Sequence, residues 1–465
     1  MKNVRKMRRN IVLVLFALVV TGRYLDAQQV LTLEECRELA VRHNKELQMS
    51  SESIKAAANE RKEAFSKYFP QVSAMGAYLH NQKNIKLVDW GVFGPAGELV
   101  PSKIRDFFEL DIHHVWVGDI SLVQPVFTGG KIIAYNRIAE YARELAETMK
   151  DTKMQDVIYA TDQTYWQVIS LVNKKKLADA YVELLRKTDR DVQIMIEEGV
   201  ATTAEGLSVR VKLNEAEMAR TKVDNGLSLT RMLLAQICGL PLNDEMHLAD
   251  EAIENIPVRP KRITSVNVNE AFLNRDDLKS LDYAIKIYEK RETIALSDML
   301  PNLAFTANYL VSNPQAFNGF KNDFSGMWNL GFVLKVPVTD WIGGSFKRNA
   351  ARAQTNIRRL EWLDAREKIE LQVNQSVYKV NEANKKLVAS VSHLESAEEN
   401  LRYANAGFEE GVIPALNLME AQTAWVSAHS DLIDAQIEVK LTDVYLKKAL
   451  GELPVPEQDT NDKKR

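Results

Sequence analysis

The motif Glu197-Glu198-Gly199-Val200 occurs again 212 residues later in this 465-residue chain, as Glu409-Glu410-Gly411-Val412, and this repetition is the main clue to the fold. The same offset relates three further pairs: Trp116 with Trp328, Pro125 with Pro337, and Gly239 with Gly451. A fixed offset held over this much sequence indicates an internal duplication.

Upstream, the two copies lie 231 residues apart. Phe69-Pro70-Gln71-Val72 matches Leu300-Pro301-Asn302-Leu303, and the same offset relates Leu47 to Leu278 and Tyr78 to Tyr309. The change of offset places 19 extra residues between Tyr78 and Trp116. Each copy predicts a helix, a strand, a loop, a second strand, a very long helix, a sharp turn and a return helix.

The duplication fixes the predicted organisation of the chain. We expect a signal peptide at 1–27, a first repeat at 28–241, a connector at 242–266, a second repeat at 267–452 and a polar C-terminal tail at 453–465. In the first repeat we expect strands at about 71–80 and 112–124, a long helix at about 131–198 and a return helix at about 203–238. In the second repeat we expect strands at about 302–311 and 327–336, a long helix at about 345–410 and a return helix at about 415–450.

The predicted signal peptide has a cationic start followed by an apolar run. Five Lys and Arg residues precede the run, which is unbroken from Ile11 to Val20, and Ala27 offers a cleavage position. Because a bilayer-spanning helix takes about 20 residues, the run is too short to be one. No later apolar run approaches that length, so we expect an exported chain whose mature part has no transmembrane helix.

The long helices are predicted from what they lack. No glycine or proline occurs from Lys131 to Glu198, a length of about 100 Å as one helix. In the second repeat a seven-residue apolar spacing, with Val377 and Val391 at the offset-by-four positions, is typical of coiled coils. The spacing is formed by Val373, Val380, Leu387, Leu394, Leu401 and Phe408. A soluble coiled coil would have the same pattern, so the helices alone do not specify a membrane protein.

The strands alternate in a way that favours a membrane. In the second strand of the first repeat, Trp116, Gly118, Ile120 and Leu122 share one face, and Trp328, Leu330, Phe332 and Leu334 match them in the second repeat. Alternation over about ten residues is typical of membrane β-strands, although a half-buried soluble sheet is an alternative for any single strand. In a membrane, four aromatic residues would lie at its interfaces: Tyr78, Trp116, Tyr309 and Trp328.

Closure of the sheet predicts the assembly. A bilayer tolerates no open sheet edge, and four strands per chain are too few to close a barrel. Two chains would supply eight strands, a barrel filled by its own side chains, whereas three would supply twelve and leave a lumen. We therefore expect a homotrimer.

With these features in place, the sequence resembles the TolC-type outer-membrane factors over nearly all of its mature length. The motifs that carry the resemblance are Leu31-Thr32-Leu33-Glu34-Glu35 with Ala40 and Asn44, Tyr68-Phe69-Pro70, Gln124 to Gly130, and the paired Gly-Val turns. The resemblance implies a mainly α fold with a small membrane β part. Duplicated long-helix hairpins would form a trimeric α-barrel topped by a 12-stranded β-barrel.

The resemblance also implies site residues at a periplasmic entrance. The tip turns would be Gly199 with Val200 and Gly411 with Val412. The family's entrance tyrosine falls on Phe408, its turn arginine on Ile413, and its two constriction carboxylates on Asn417 and Glu420; the matching acidic position of the first turn is Glu205. The polar latch of the family is therefore largely missing, while Glu420 and Glu205 could form a cation-favouring ring or be exposed helix charges.

Other function classes lack support in the sequence. The net charge of −3 gives no basic field for nucleic acid, and the chain has none of the common metalloprotease, hydrolase, P-loop or redox motifs. We expect no enzyme activity, cofactor or metal. Cys36 and Cys238 are 202 positions apart and could pair in an oxidising compartment, but nothing in the sequence places them together.

The predicted function is a passive exit duct that extends from the outer membrane of a Gram-negative bacterium into the periplasm. The resemblance implies a periplasmic adaptor and an inner-membrane pump of RND or ABC type, with outer-membrane lipid around the barrel. Drug efflux and type I secretion share such a duct, and both stay open. The alternative is a periplasmic coiled-coil scaffold or adaptor without a barrel.

Overall fold

A computed structural model describes residues 30–242, 246–253, 256–258, 262–315 and 321–454. The predicted signal peptide, parts of the predicted connector and most of the predicted C-terminal tail lie outside these ranges. Among the residues described, no helix is both long enough and apolar enough to span a bilayer.

The chain is mostly helical, with one larger sheet. The helices are α1 (Leu33–His43), α2 (Lys45–Ser66), α3 (Lys131–Glu197), α4 (Thr203–Cys238), α5 (Val268–Asn274), α6 (Asp276–Ser297), α7 (Asp340–Glu409) and α8 (Ala415–Leu450). The strands of the larger sheet are β1 (Gln71–His80), β2 (His114–Phe127), β3 (Asn302–Asn313) and β4 (Ser325–Lys335). Short strand pairs join Val30–Leu31 to His247–Leu248 and Ile85–Lys86 to Glu109–Leu110, and two short helices, Pro95–Glu98 and Ser102–Phe107, lie between β1 and β2.

Contacts divide the chain into two compact units. The first comprises the N-terminal part up to Glu52, Thr148–Leu278, and the C-terminal part from Asp364; the second comprises Ser53–Glu147 and Lys279–Leu363. Each unit takes residues from both predicted repeats, because the long helices α3 and α7 each contribute to both units.

The second unit contains the four-stranded antiparallel sheet, in the order β1-β2-β3-β4. Strands β2 and β3 join the two repeats, with Ile120 opposite Tyr309. Tyr78 lies opposite Trp116 and Tyr309 lies opposite Trp328. Because directly opposed residues point to the same side of a sheet, all four aromatic side chains lie on one face.

The two faces of this sheet differ in polarity. The face with the four aromatics also carries Val72, Ile120, Leu122, Leu303, Phe305, Leu330, Phe332 and Leu334. The opposite face carries cross-strand hydrogen bonds between the Ser73 and Ser121 hydroxyls, 2.8 Å apart, and from the Asn308 amide to Asn329, 3.0 Å away. The alternation expected from the sequence is therefore a property of the whole sheet.

Several element boundaries differ from the sequence prediction. Strand β2 starts two residues later than expected because Asn81 holds the segment before it, donating a side-chain hydrogen bond to the Ile112 carbonyl oxygen at 2.7 Å. The strand then runs past Pro125 to Phe127 through a register shift, where a missing N–H is tolerated. Helix α7 starts at Asp340 rather than about 345. A Cβ on Gly344 in its first turns would lie 2.4 Å from Met299 Cγ, so glycine there leaves room for Met299.

The first unit repeats one helix-end contact. Gly239 ends α4 at a φ of +71°, and a Cβ there would lie 2.5 Å from His43 Cβ. Gly451 ends α8 at a φ of +72°, and a Cβ there would lie 3.0 Å from Asn274 Cβ. His43 and Asn274 are 231 residues apart and the glycines are 212 apart, which are the two offsets of the sequence duplication.

The seven-residue apolar spacing of α7 is buried over part of its length. Val373, Val380, Leu387 and Phe408 are buried, whereas Leu394 and Leu401 are half-buried. Val391 is 43% exposed, although its spacing predicts a packing position. The second half of the pattern therefore packs incompletely within one chain.

Candidate functional site

The two tip turns have the same backbone geometry. Gly199 adopts a φ of +76° and Gly411 a φ of +68°, values that glycine takes without steric cost. The Val200 N–H donates to the Met195 carbonyl oxygen, and the Val412 N–H to the Gly407 carbonyl oxygen, each at 2.8 Å. These hydrogen bonds are those of a Schellman motif, which caps the C-terminal ends of α3 and α7. Such a cap needs a glycine at a fixed local position, so both turns can be located from the sequence, while their assignment as periplasmic tip turns stays a prediction.

The return helices start with different caps. Thr202 caps α4 in a reciprocal arrangement: its hydroxyl accepts from the Glu205 N–H at 3.3 Å, and the Glu205 carboxylate accepts from the Thr202 N–H at 2.7 Å. Helix α8 begins after Pro414 and has no side-chain cap bond. Glu205 is thus held at the first turn of α4, a role that resemblance alone did not reveal.

Phe408 lies in an apolar cluster beneath the turns. It is 6% exposed and packs in a cluster with side chains from α3, α4 and α8. The cluster includes Val192, Val209, Ala404, Leu418 and Met419. Its composition fits the expectation that this end of the helices is held by apolar contact.

The two turns share a cavity of about 230 Å³. Val200 and Ala201 line it from the first turn, and Val412 and Ile413 from the second. Phe408 lies at its apolar wall and Glu205 is a polar lining residue. The structure therefore brings Glu205 close to Phe408 and Gly411, which lie 203 and 206 residues further along the chain.

The other predicted entrance residues are on the surface of α8. Asn417 and Glu420 are both exposed within a single chain. The Asn417 N–H donates to the Pro414 carbonyl oxygen at 3.1 Å, which makes Asn417 the counterpart of Glu205 in the second turn. Neither side chain lines the cavity between the turns. An acidic ring that contains Glu420 would therefore need the Glu420 side chains of other copies of the chain.

One buried polar contact near the tip was missed by the sequence analysis. Gln422 is fully buried and donates through Nε2 to the Thr188 hydroxyl, 3.0 Å away on α3. The sequence feature that could have predicted this contact is a glutamine in the apolar stripe that includes Met419, because a buried glutamine needs a hydrogen-bond partner. This contact ties α8 to α3 two residues after Glu420.

The predicted interfacial aromatics are accessible on the sheet. Tyr78 and Trp116 are in contact, with ring centroids 4.5 Å apart and ring planes tilted by 43°. All four side chains are exposed, with Trp328 the most exposed at 70%. An exposed apolar face of this kind is typical of a surface that contacts lipid or another protein.

Ion pairs connect helix α3 to helix α4 within one chain. Arg210 of α4 pairs with Asp189 of α3 at 3.5 Å, and Arg220 pairs with Asp179 at 2.5 Å. Both pairs join α3 to its return helix. Among the residues that the structure describes, no group of three or more His, Cys, Asp or Glu side chains could hold a metal ion.

Comparison with known proteins assigns a class to this arrangement. Residues 267–452 match the family model described as outer membrane efflux protein. The chain is 23% identical over 350 residues to the alkaline protease secretion protein AprF of Pseudomonas aeruginosa, covering 72% of this chain and 69% of that protein. It is 25% identical over 357 residues to the outer membrane protein TolC of Escherichia coli, with the same coverage. The crystal structure of the Campylobacter jejuni CmeC outer membrane channel superimposes with a TM-score of 0.73 at 15% identity, covering 93% of this chain and 88% of that one.

The fold is similar to that of solved outer-membrane channels. The family match over residues 267–452 and the two relatives support a TolC-type outer membrane factor. Its location is the outer membrane, with the helical part in the periplasm, and its function class is an efflux or secretion channel.

Proposed function

We propose that three copies of this chain form a passive conduit across the periplasm and the outer membrane. The observation that carries the proposal is the four-stranded sheet, whose outer strands β1 and β4 each pair with one neighbour only. One face of this sheet is apolar and exposed. A bilayer would solvate that face, but it would not tolerate the two open edges.

Pairing with strands of other copies would satisfy the open edges of the sheet. Twelve strands from three chains enclose a lumen, lined by the face that carries Ser73, Ser121, Asn308 and Asn329. Eight strands from two chains would leave room only for side chains. The trimer is therefore the smallest assembly that conducts, and outer-membrane lipid would contact the aromatic face.

The tip turns form the proposed periplasmic entrance. Three copies of the Phe408 cluster would hold it closed by apolar contact, while three copies of Glu420, together with Glu205, would favour cations at the constriction. The relative AprF is named for secretion of a protease. By analogy, we propose that this chain works with a periplasmic adaptor and an inner-membrane pump of RND or ABC type.

The segment between β1 and β2 gives the proposed topology. It contains Trp90–Phe93 and the 19 extra residues of the first repeat, and it leaves the sheet at the end opposite to α2 and α3. We propose that it is an extracellular loop. An epitope tag placed after Gly94 should be labelled on intact cells; labelling only after rupture of the outer membrane would contradict this topology.

The assembly is tested by mass. The full chain purified in detergent should give three copies per particle, and its outer-membrane fraction should migrate in a heat-dependent way on gels. A monodisperse monomer or dimer with intact channel activity would disprove the trimer. A chain found only in the soluble periplasm would instead favour a scaffold without a barrel.

A further inference from the structure

The two cysteines of this chain meet in the first unit. Both are fully buried and belong to the same apolar cluster, together with Leu234 and Leu248. The Cys238 thiol donates to the backbone carbonyl oxygen of Cys36 at 3.6 Å. The chain thus places side by side two thiols that are 202 residues apart in sequence.

The backbones that carry these thiols are packed closely. Next to Cys238, the Ile237 carbonyl oxygen accepts from the Asn44 amide at 3.3 Å. On its other side, Gly239 approaches His43 so closely that a Cβ would not fit. A disulfide requires two closely spaced backbones, and these contacts hold the C-terminal end of α4 against α1 on both sides of Cys238.

We propose that Cys36 and Cys238 form an intramolecular disulfide in the periplasm, which pins α1 to the C-terminal end of α4. The periplasm is an oxidising compartment, so the co-reactant is a disulfide-bearing thiol oxidant. One thiolate attacks the oxidant's disulfide and forms a mixed disulfide; the second thiolate then displaces the oxidant's thiolate. Two protons and two electrons leave the chain, and the oxidant ends as a dithiol.

Burial sets the time at which this bond forms. In the folded chain the hydrogen bond with the Cys238 thiol, followed by burial, raises the pKa of Cys36 above its usual range. Because the thiolate is the nucleophile, the packed thiols are unreactive. Oxidation therefore precedes docking of α1, and the finished disulfide is shielded from reductants by the same packing.

The second repeat shows the same crossing without thiols. The positions equivalent to Cys36 and Cys238 are Asn267 and Leu450, and Gly451 still packs against Asn274. The helix crossing therefore does not depend on a crosslink. Variants without the cysteines are expected to fold, which makes the proposal testable.

The test is a thiol count on the full chain. The protein is isolated without reductant from cells that possess a periplasmic thiol oxidase, denatured, and treated with a maleimide. We expect no modified cysteine before reduction and two after it, and faster migration on a non-reducing gel than on a reducing one. The variants Cys36→Ala and Cys238→Ala should each lose the mobility difference and show one modifiable thiol.

The Tm of the cysteine variants distinguishes a disulfide from two buried thiols that are not linked. We expect each single variant to lower Tm by roughly 5–10 °C, because the bond closes a long loop, and the double variant to lower it no further. Two modifiable thiols in the denatured, unreduced protein would overturn the proposal. So would additive Tm losses in the double variant, or a disulfide between two chains.

Discussion

Tyr78 and Trp116 face each other across the first strand pair of the sheet, with ring centroids 4.5 Å apart. Their position marks one face of all four strands as aromatic and apolar, because Tyr309 and Trp328 oppose each other on the same face. The opposite face carries the Asn308 to Asn329 hydrogen bond. The consequences of this asymmetry can be tested within one strand.

The two faces of β4 should respond differently to a charge. Leu330 lies on the apolar face and is 61% exposed, while its neighbour Asn329 lies on the polar face. Leu330→Arg should cost about 2–4 kcal/mol if the face contacts lipid near the bilayer midplane. We therefore expect this variant to be lost from the outer-membrane fraction. Asn329→Arg is the matched control and should insert normally; equal insertion of both variants would contradict a lipid-facing assignment.

Glu420 should contribute to ion selectivity. Three exposed carboxylates brought together on the axis of the trimer attract cations and repel anions. Glu420→Gln should lower cation selectivity, measured as the reversal potential across a salt gradient in planar bilayers, and should leave the trimer intact. Glu395→Gln, an exposed acid on α7, is the control and should change nothing. An unchanged reversal potential would show that Glu420 is only a surface charge.

Phe408 should control the closed state. Its truncation to alanine leaves a void in the cluster with Leu418 and Met419, and such a change costs about 3–5 kcal/mol of local packing. We expect Phe408→Ala to raise single-channel conductance in planar bilayers. Tyr403→Ala removes an exposed aromatic ring from the same helix and should leave conductance unchanged. The hypothesis fails if both variants conduct like the parent.

Glu205 should have a structural role that is separable from its charge. Its carboxylate accepts from the Thr202 N–H and hydroxyl, at 2.7 and 3.1 Å. Glu205→Gln keeps an acceptor at that position, whereas Glu205→Ala loses the cap at a cost of about 1 kcal/mol. Limited proteolysis should cut the turn at 198–203 faster in Glu205→Ala only. If Glu205 also faces the pore, both variants should lower cation selectivity by the same amount.

Asp298 should make the second unit sensitive to acid. Burial raises the pKa of Asp298, but hydrogen bonds from Lys131 at 2.7 Å and from Lys347 outweigh it and hold the pKa below its usual value. A lowered folded-state pKa contributes stability above the unfolded pKa of about 3.9, and that stability is lost as pH falls through the folded value.

The variant Asp298→Asn should therefore be less stable than the parent at neutral pH, by about 1 kcal/mol because the lysines are partly solvated. The difference in Tm should vanish as pH falls below about 4. Asp282→Asn is the control, since Asp282 pairs with Lys286 one helical turn away on the same helix and is half exposed. A Tm difference that persists unchanged into acid would rule out the ion-pair explanation.

Local chemistry made much of this fold predictable. Gly199 and Gly411 end the long helices because the cap requires a positive φ, and that requirement is readable from a few residues. Alternation around Trp116 and Trp328 gave the strand faces in the same way, since the period of two is a local property. The division into two repeats stays a prediction, because the compact units of the structure cut across it.

Patterns within short stretches of sequence were thus enough to predict the long helices, the turns between them, the two-faced strands and the resemblance to TolC-type proteins. The distant groups that meet could be found only in the folded chain: Cys36 with Cys238, Gln422 with Thr188, and Glu205 with the cavity beside Phe408. It also left Val391 exposed, although its spacing is that of a packing residue. The physical reason is that turns, caps and periodicity depend on neighbours within a few residues, whereas these contacts depend on where separately formed helices cross.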